Sequence, residues 1–338
     1  MAEYKGIHGT KVQNYTSDPA NPIVGQVWYN ETSQTMKVRS VTTAGAWATG
    51  GSLNTGRYNI GGIGIATAAL AVGGRGGSVP GDGSTNTENY NGSAWTEVGS
   101  LNTARHSLLT SGSSSTSALA FGGEDASRLG VTEEWNGTSW TELADLTSAR
   151  GEGGGAGTTT AALGFGGAES PASIVSKTES WNGTSWTEVN DLNTARYQTT
   201  SGMGRDYAAA LLAGGRTPGS PTVAITESWN GTSWTEVGDL NTARSIGAGQ
   251  TGTNTSALVA GGNSGPPPAS ANTEEWNGTS WTEITDLSTA RFGSGGAAAD
   301  STSALVFGGA DPANLPASYI ATEEFTKPAF INKTITSS

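Results

Sequence analysis

The chain has 338 residues, 51 of them glycine, and its 17 Lys and Arg against 29 Asp and Glu leave a net charge of −12. An acidic surface of this kind repels phosphate backbones, so nucleic acid is excluded as a partner. There is no cysteine, which removes disulfides and thiolate metal sites. Abundant glycine and low charge content also mark disordered chains, but 11 tryptophans, most of them in a repeating pattern, argue for a packed core. The start, MAEYKGIHGT, lacks the apolar run of a signal peptide, and no stretch is apolar for long enough to span a bilayer. The product is expected to be made in a cytoplasm and to insert into no membrane.

Residues 1–40 come first. DPANPIVGQVWYNETSQTMKVRS reads as a turn-rich lead-in and then a hairpin, QVWYN and MKVRS around a polar turn. Such a segment is too small to fold alone. From residue 41 to 326 a set of landmarks recurs. Tryptophans stand at Trp47, Trp95, Trp140, Trp186, Trp234 and Trp281, spaced by 48, 45, 46, 48 and 47 residues. Ten residues after each comes an arginine, Arg57, Arg105, Arg150, Arg196, Arg244 and Arg291, in LNTAR or a close variant. A double glycine then ends an apolar run, from Gly73-Gly74 to Gly308-Gly309, and a Thr-Glu pair leads to an aromatic: Tyr90, Trp135, Trp181, Trp229, Trp276 or Phe325.

Each period reads as four short strands. Strand a, after the arginine, is rich in Gly, Ala and Ser; strand b, such as ALAFGG, is continuously apolar and expected to be buried on both faces. Strand c carries TEEWN and strand d SWTEV, and the Asn-Gly between them is expected to form a tight hairpin with both residues at positive φ. One four-stranded sheet cannot bury both its faces, but six packed radially can. The small residues of strand a suit the crowded centre of such an array.

The succession L-x-x-A-R, apolar-Gly-Gly, E-x-aromatic-N-G-x-x-W resembles the kelch repeat, over roughly residues 41–326. The aromatic-to-Trp spacing of five is shorter than is usual in that family, and the copies are nearly identical. The resemblance implies an all-β, six-bladed β-propeller. The Trp47 strand is a d strand with no a, b or c before it, and the last period has no d. The two ends are therefore expected to pair and close the ring, which removes two exposed edges. Residues 1–40 resemble short N-terminal modules of bacteriophage tail fibres, and the NGTSWTE repeats resemble propellers of phages infecting aquatic bacteria. Residues 327–338 read as a C-terminal tail.

The six arginines could form a ligand-binding ring, but their recurrence in every period favours structural pairing with Glu133, Glu179, Glu227, Glu274 and their counterparts. The Asn-Gly turns carry N-x-S/T sequons, which the turn already explains. GEGGGAG, Gly151–Gly157, lacks the Lys-Ser/Thr of a phosphate loop. His8 and His106 are the only histidines and neither has a second ligand nearby in sequence, so no metal and no cofactor is expected. The copper oxidases among kelch-like propellers need a cysteine-crosslinked tyrosine that this chain cannot make. Sialidase-type chemistry needs arginines on non-equivalent blades, and nothing singles out Tyr58, Tyr197 or Tyr207 as its nucleophile.

What varies between periods is the b–c connections: Arg75–Thr87, Glu124–Val131, Ala168–Lys177, Arg216–Ile225, Asn263–Asn272 and Ala310–Ala321. Function on repeat scaffolds lies in such loops. Their polar residues Arg75, Asp82, Asp125, Arg128, Arg216 and Asn263 are the candidate binding residues. No acid–base constellation is visible, so the expectation is a non-enzymatic virion protein, a tail appendage that presents loops to a host glycan or receptor. Residues 1–40 would attach it to other virion proteins, and the particle implies a homo-oligomer. The alternatives are a capsid or tail decoration without a receptor and a glycan-processing enzyme.

Overall fold

The computed structural model describes residues 12–23, 25–41, 45–76, 83–170, 173–199, 202–246, 248–265, 269–311, 319–327 and 330–335. Among them there is no helix. The chain divides into two compact units, Met1–Ala46 with Lys327–Ser338, and Trp47–Thr326.

The smaller unit is one sheet ordered Gln13–Tyr15, Val27–Asn30, Thr35–Val41, Phe330–Thr334. The hairpin expected from the sequence is present, with Trp28 opposite Lys37. The segment read as a tail supplies a fourth strand instead, with Lys333 opposite Val38 and Asn332 opposite Arg39. Nothing in the repeat pattern marks FINKT as a strand, because its partner lies almost the whole chain away. Asp18 binds the unit together. It accepts from Asn30 Nδ2 at 2.7 Å, Asn332 Nδ2 at 2.9 Å, and Lys37 Nζ and the buried Trp28 Nε1 at 3.2 Å each. These donors, Asn30 foremost, hold its carboxyl well below the usual carboxylate range.

The larger unit holds six four-stranded antiparallel sheets. In chain order the strands of the first are Gly61–Ile65, Ala68–Val72, Thr87–Tyr90 and Trp95–Glu97. The second has Leu109–Ser114, Ser117–Phe121, Thr132–Trp135 and Trp140–Leu143; the third has Gly154–Gly157, Ala162–Phe165, Thr178–Trp181 and Trp186–Val189. The fourth has Met203–Asp206, Ala209–Ala213, Thr226–Trp229 and Trp234–Glu236; the fifth has Ala248–Gly252, Ala257–Ala260, Thr273–Trp276 and Trp281–Ile284. The sixth takes Gly295–Asp300, Ser303–Phe307 and Thr322–Thr326 from one end of the unit and Ala46–Thr49 from the other, beside Thr322–Thr326. Trp47 and Phe325 pack there with ring centroids 5.2 Å apart.

The small residues of strand a serve close approach. A Cβ at Gly155 would meet the Thr110 carbonyl oxygen of the preceding sheet at 2.4 Å, and one at Gly62 would meet that of Gly296 at 2.3 Å. Each a strand thus lies against its neighbours, the first against the sixth included. The double glycines are needed for another reason: both residues of each pair have positive φ, as at Gly122 (60°) and Gly123 (106°), where any side chain is strained.

The hairpin turn differs from its expectation. Trp181 pairs with Trp186, so the loop is four residues, Asn182 to Ser185, not two. Only Gly183 is left-handed (φ 91°). Asn182 keeps ordinary φ because its side chain caps the turn instead, its Oδ1 accepting the N–H groups of Thr184 and Ser185, both at 2.9 Å. The paired tryptophans are buried, with centroids 5.4 Å apart.

The second tryptophan of each pair also locks one sheet to the one before. Trp140 Nε1 donates to Thr87 Oγ1 and Trp186 to Thr132, each at 3.0 Å; Trp234 to Thr178, Trp281 to Thr226 and Trp95 to Thr322 repeat the bond. The threonine is the one in the Thr-Glu pair. The sixth bond of the series is missing. Trp47 Nε1 donates to the Thr285 carbonyl instead, and the buried Thr273 Oγ1 has no partner among the described residues.

Candidate functional site

The six arginines are structural. Arg196 is fully buried and donates to Glu227 Oε1 at 2.9 Å and to the carbonyls of Gly214 and Ile225 at 3.1 and 2.6 Å. Glu227 Oε2 accepts the N–H and Nδ2 of Asn193, both at 2.8 Å, which fixes the LNTAR loop on strand c. Burial lowers the pKa of the guanidinium and Glu227 opposes it. The same pairing joins Arg57 to Glu88, Arg105 to Glu133, Arg150 to Glu179, Arg244 to Glu274 and Arg291 to Glu323. No ligand can reach such a ring.

Two residues beyond each arginine the chain does something the sequence does not announce. Asn59, Ser107, Glu152, Gln198, Ile246 and Gly293 all have positive φ, between 48° and 65°. For Ile246, a β-branched residue, this is a strained conformation of the kind that clusters at functional sites. The backbones here are tied in series. The N–H of Ser107 donates to Asn59 O (3.0 Å), Glu152 to Ser107 O (2.8 Å), and Thr199 to Glu152 O (3.2 Å). Ile246 donates to Gln198 O (2.6 Å), Gly293 to Ile246 O (3.1 Å), and Asn59 to Gly293 O (2.6 Å), which returns to the start.

Asn59, Ser107, Glu152, Gln198 and Ile246 line a cavity of about 260 Å³, together with Tyr58, Arg75, His106, Glu124 and Phe292. Its lining comes from the d–a connections, as with Asn59 and His106, and from the b–c connections, as with Arg75 and Glu124, and the two sets share hydrogen bonds such as Leu101 N–H to Thr85 O and Leu146 N–H to Gly130 O. Four residues of its lining each carry a buried polar atom without a partner among the described residues: Asn59 Oδ1, Arg75 Nε, His106 Nε2 and Gln198 Oε1. His106 is 1% exposed. Burial, with Arg75 and Arg128 nearby, pushes its pKa down to about 3, so the ring is neutral at ordinary pH. Its Nδ1 shares a 3.0 Å hydrogen bond with Ser107 Oγ.

Of the candidate binding residues, two come to this cavity. Arg75 lines it. Arg128 bridges two of its carboxylates, Glu124 Oε2 at 2.5 Å and Glu152 Oε2 at 2.7 Å. Asp125 accepts the Gly83 N–H at 3.0 Å and Asn263 Oδ1 the Gly265 N–H at 3.1 Å, so both shape loops. Arg216 Nε donates to Ser245 Oγ at 3.2 Å, and Asp82 lies outside the described residues. Sequence reasoning missed Asn59, Ser107, Glu152, Gln198 and Ile246. The signal was available: in a chain of near-identical copies, this position carries six different residues.

No protein-family model matches the chain, and no curated protein sequence does. Solved structures do match. One described as "Structure of YjhT" aligns over 83% of this chain and 99% of its own with a TM-score of 0.68, at 12% sequence identity. A likeness at that identity concerns the fold alone, and with the repeated four-stranded sheets it fits an all-β, β-propeller-like architecture.

Proposed function

We propose that residues 47–326 form a closed six-bladed propeller that acts as a binding module, and that the protein is a bacteriophage virion appendage recognising a host-surface group. Closure is supported by the sheet that combines Ala46–Thr49 with Thr322–Thr326 and by the backbone hydrogen bonds that return from Gly293 to Asn59. The virion setting is supported by the resemblance of residues 1–40 to tail-fibre attachment modules. The binding role rests on one observation above all: four residues that line one cavity each carry a buried polar atom with no partner among the described residues, at the face where the copies differ. An unsatisfied buried polar group costs on the order of 1–3 kcal/mol, and a ligand that supplies its partner recovers that cost.

The test is binding of the purified protein to host cell envelopes, with labelled antibody locating the chain on the particle. Saturable envelope binding that falls in an Arg75→Met, Asn59→Gly double variant is the expected result. A protein found on the capsid, with no envelope binding, would replace this reading with that of a decoration protein. Turnover of envelope glycans would replace it with an enzyme.

A further inference from the structure

We infer that the central cavity takes a neutral hydroxyl-bearing ring, the terminal sugar residue of a glycan, entering end-on. This rests on the binding reading above and names its ligand class. The hydrogen-bonding balance of the cavity carries it. Asn59 Oδ1 and Gln198 Oε1 can only accept, while Arg75 Nε can only donate. His106 Nε2 takes either role, according to which partner holds the proton in the Nδ1–Ser107 bond. A ligand must therefore donate and accept within one small volume. A carboxylate only accepts and would face the two amide oxygens; an ammonium only donates and would face Arg75. A hydroxyl does both.

Charge agrees with this. Arg75 lines the wall with Glu124 and Glu152, Arg128 bridges those two carboxylates, Asp125 also acts on the neutral His106, and this balance offers no excess of positive charge to hold an anion. Arg128 already occupies an oxygen of each carboxylate. The remaining wall is apolar: Tyr58 and Phe292 meet edge to face with centroids 6.1 Å apart, beside Ile246, and offer a surface for the C–H face of a pyranose. At about 260 Å³ the cavity is smaller than the ~300–1,000 Å³ of pockets for drug-sized ligands, which suits one ring and no oligosaccharide.

A second cavity, among the glycines of the a strands, measures only about 50 Å³. Arg205 lines it, and reaches from the fourth sheet past the third to donate to the Ser113 carbonyl of the second at 2.6 Å. A glycan chain therefore cannot thread through, and only its end is read.

The experiment is ligand-observed NMR and calorimetric titration of the full chain with methyl glycosides of glucose, galactose, mannose and N-acetylglucosamine, and with glucuronate as the acidic probe. The expected result is that at least one methyl glycoside binds with Kd near ~1 mM, glucuronate at least about tenfold more weakly. Asn59→Gly, Gln198→Gly and Arg75→Met should each weaken the glycoside about tenfold while the melting temperature of the free protein holds. Glycine keeps the left-handed backbone, so the first removes the Asn59 amide alone and the second also releases the Gln198 Nε2 hydrogen bond to Glu152 Oε1. Tighter glucuronate binding that these variants weaken would overturn the neutral class and leave the cavity as the site. Glycoside binding that no variant touches would overturn the cavity itself. Failure of every probe to bind would overturn both.

Discussion

Two positions, separated by a single residue, behave in opposite ways. The LNTAR arginine is the same in all six copies, fully buried, and paired with the same glutamate each time. Two residues later the backbone is again the same in all six copies, left-handed and tied to its neighbours, yet the side chains are Asn, Ser, Glu, Gln, Ile and Gly. Where backbone and side chain both repeat, the repeat itself explains them. Where the backbone repeats and the side chains do not, the fold has fixed a platform and left its contents free, and that is where a ligand can be specified.

The sharpest way to break this contrast is to remove one side chain of each kind. Arg196→Met leaves Glu227 buried without its cation and is expected to cost about 3–5 kcal/mol. Gln198→Gly, two residues on, is expected to stay within about 0.5 kcal/mol of the parent. Denaturant midpoints measure both; equal losses would erase the distinction. A second contrast concerns the tryptophan seams. Trp186→Ala should cost about 3–5 kcal/mol. Trp47→Ala should cost roughly half as much, since Trp47 is only part-buried and makes no bond to Thr273.

His106 should betray itself through pH. Its value of about 3 in the folded protein lies below the ordinary 6.5, so on acidification the unfolded chain takes up the proton first. The stability it contributes is complete above about pH 6.5 and drains away as pH falls toward 3, by up to roughly 1.4 kcal/mol per pH unit. Thermal melts from pH 7 to 4 should show a shallower fall in His106→Gln; parallel curves would rule the effect out. Gly183→Val, at φ 91°, should lower stability by about 1 kcal/mol or more, whereas Gly76→Ala, where a Cβ meets nothing among the described residues within 4 Å and φ is not positive, should change little. One effect has the opposite sign. Ile246→Gly should relieve a left-handed β-branched residue and raise stability by up to about 1 kcal/mol. A loss above about 2 kcal/mol would show that Ile246 belongs to the packing and not to the platform.

Much of the fold was legible because the copies repeat it: strands b, c and d, their order, and the arginine–glutamate pairing all follow from landmarks in register. The Asn-Gly turn was read only in part, since the propensity for left-handed φ is local while the capping role of Asn182 depends on where Thr184 and Ser185 fall. The strand at Phe330–Thr334 was hidden because its partner at Thr35–Val41 is distant in sequence. The loops drew attention to Arg75 and Arg128. Asn59, Ser107, Glu152, Gln198 and Ile246 share one register position and stand out there by their variety, but they sit more than 40 residues apart, and that they line one cavity follows only from the folded arrangement.

The sixth sheet also sets a timetable. Its outer strand is made of residues 46–49 and the neighbour of that strand of residues 322–326, a separation of 322 − 46 = 276 residues. During synthesis the first of these waits, unpaired, until nearly all the rest has been made. Bringing such distant segments together in an unstructured chain costs on the order of 5 kcal/mol of loop entropy. Sheets that fold as they emerge shorten that distance step by step, each held to its predecessor by a tryptophan–threonine bond, so the last pairing joins ends already held near each other. The copies need to be similar for this relay to run evenly, and the seam without the bond, between Trp47 and Thr273, closes only once Ala46–Thr49 has paired with Thr322–Thr326.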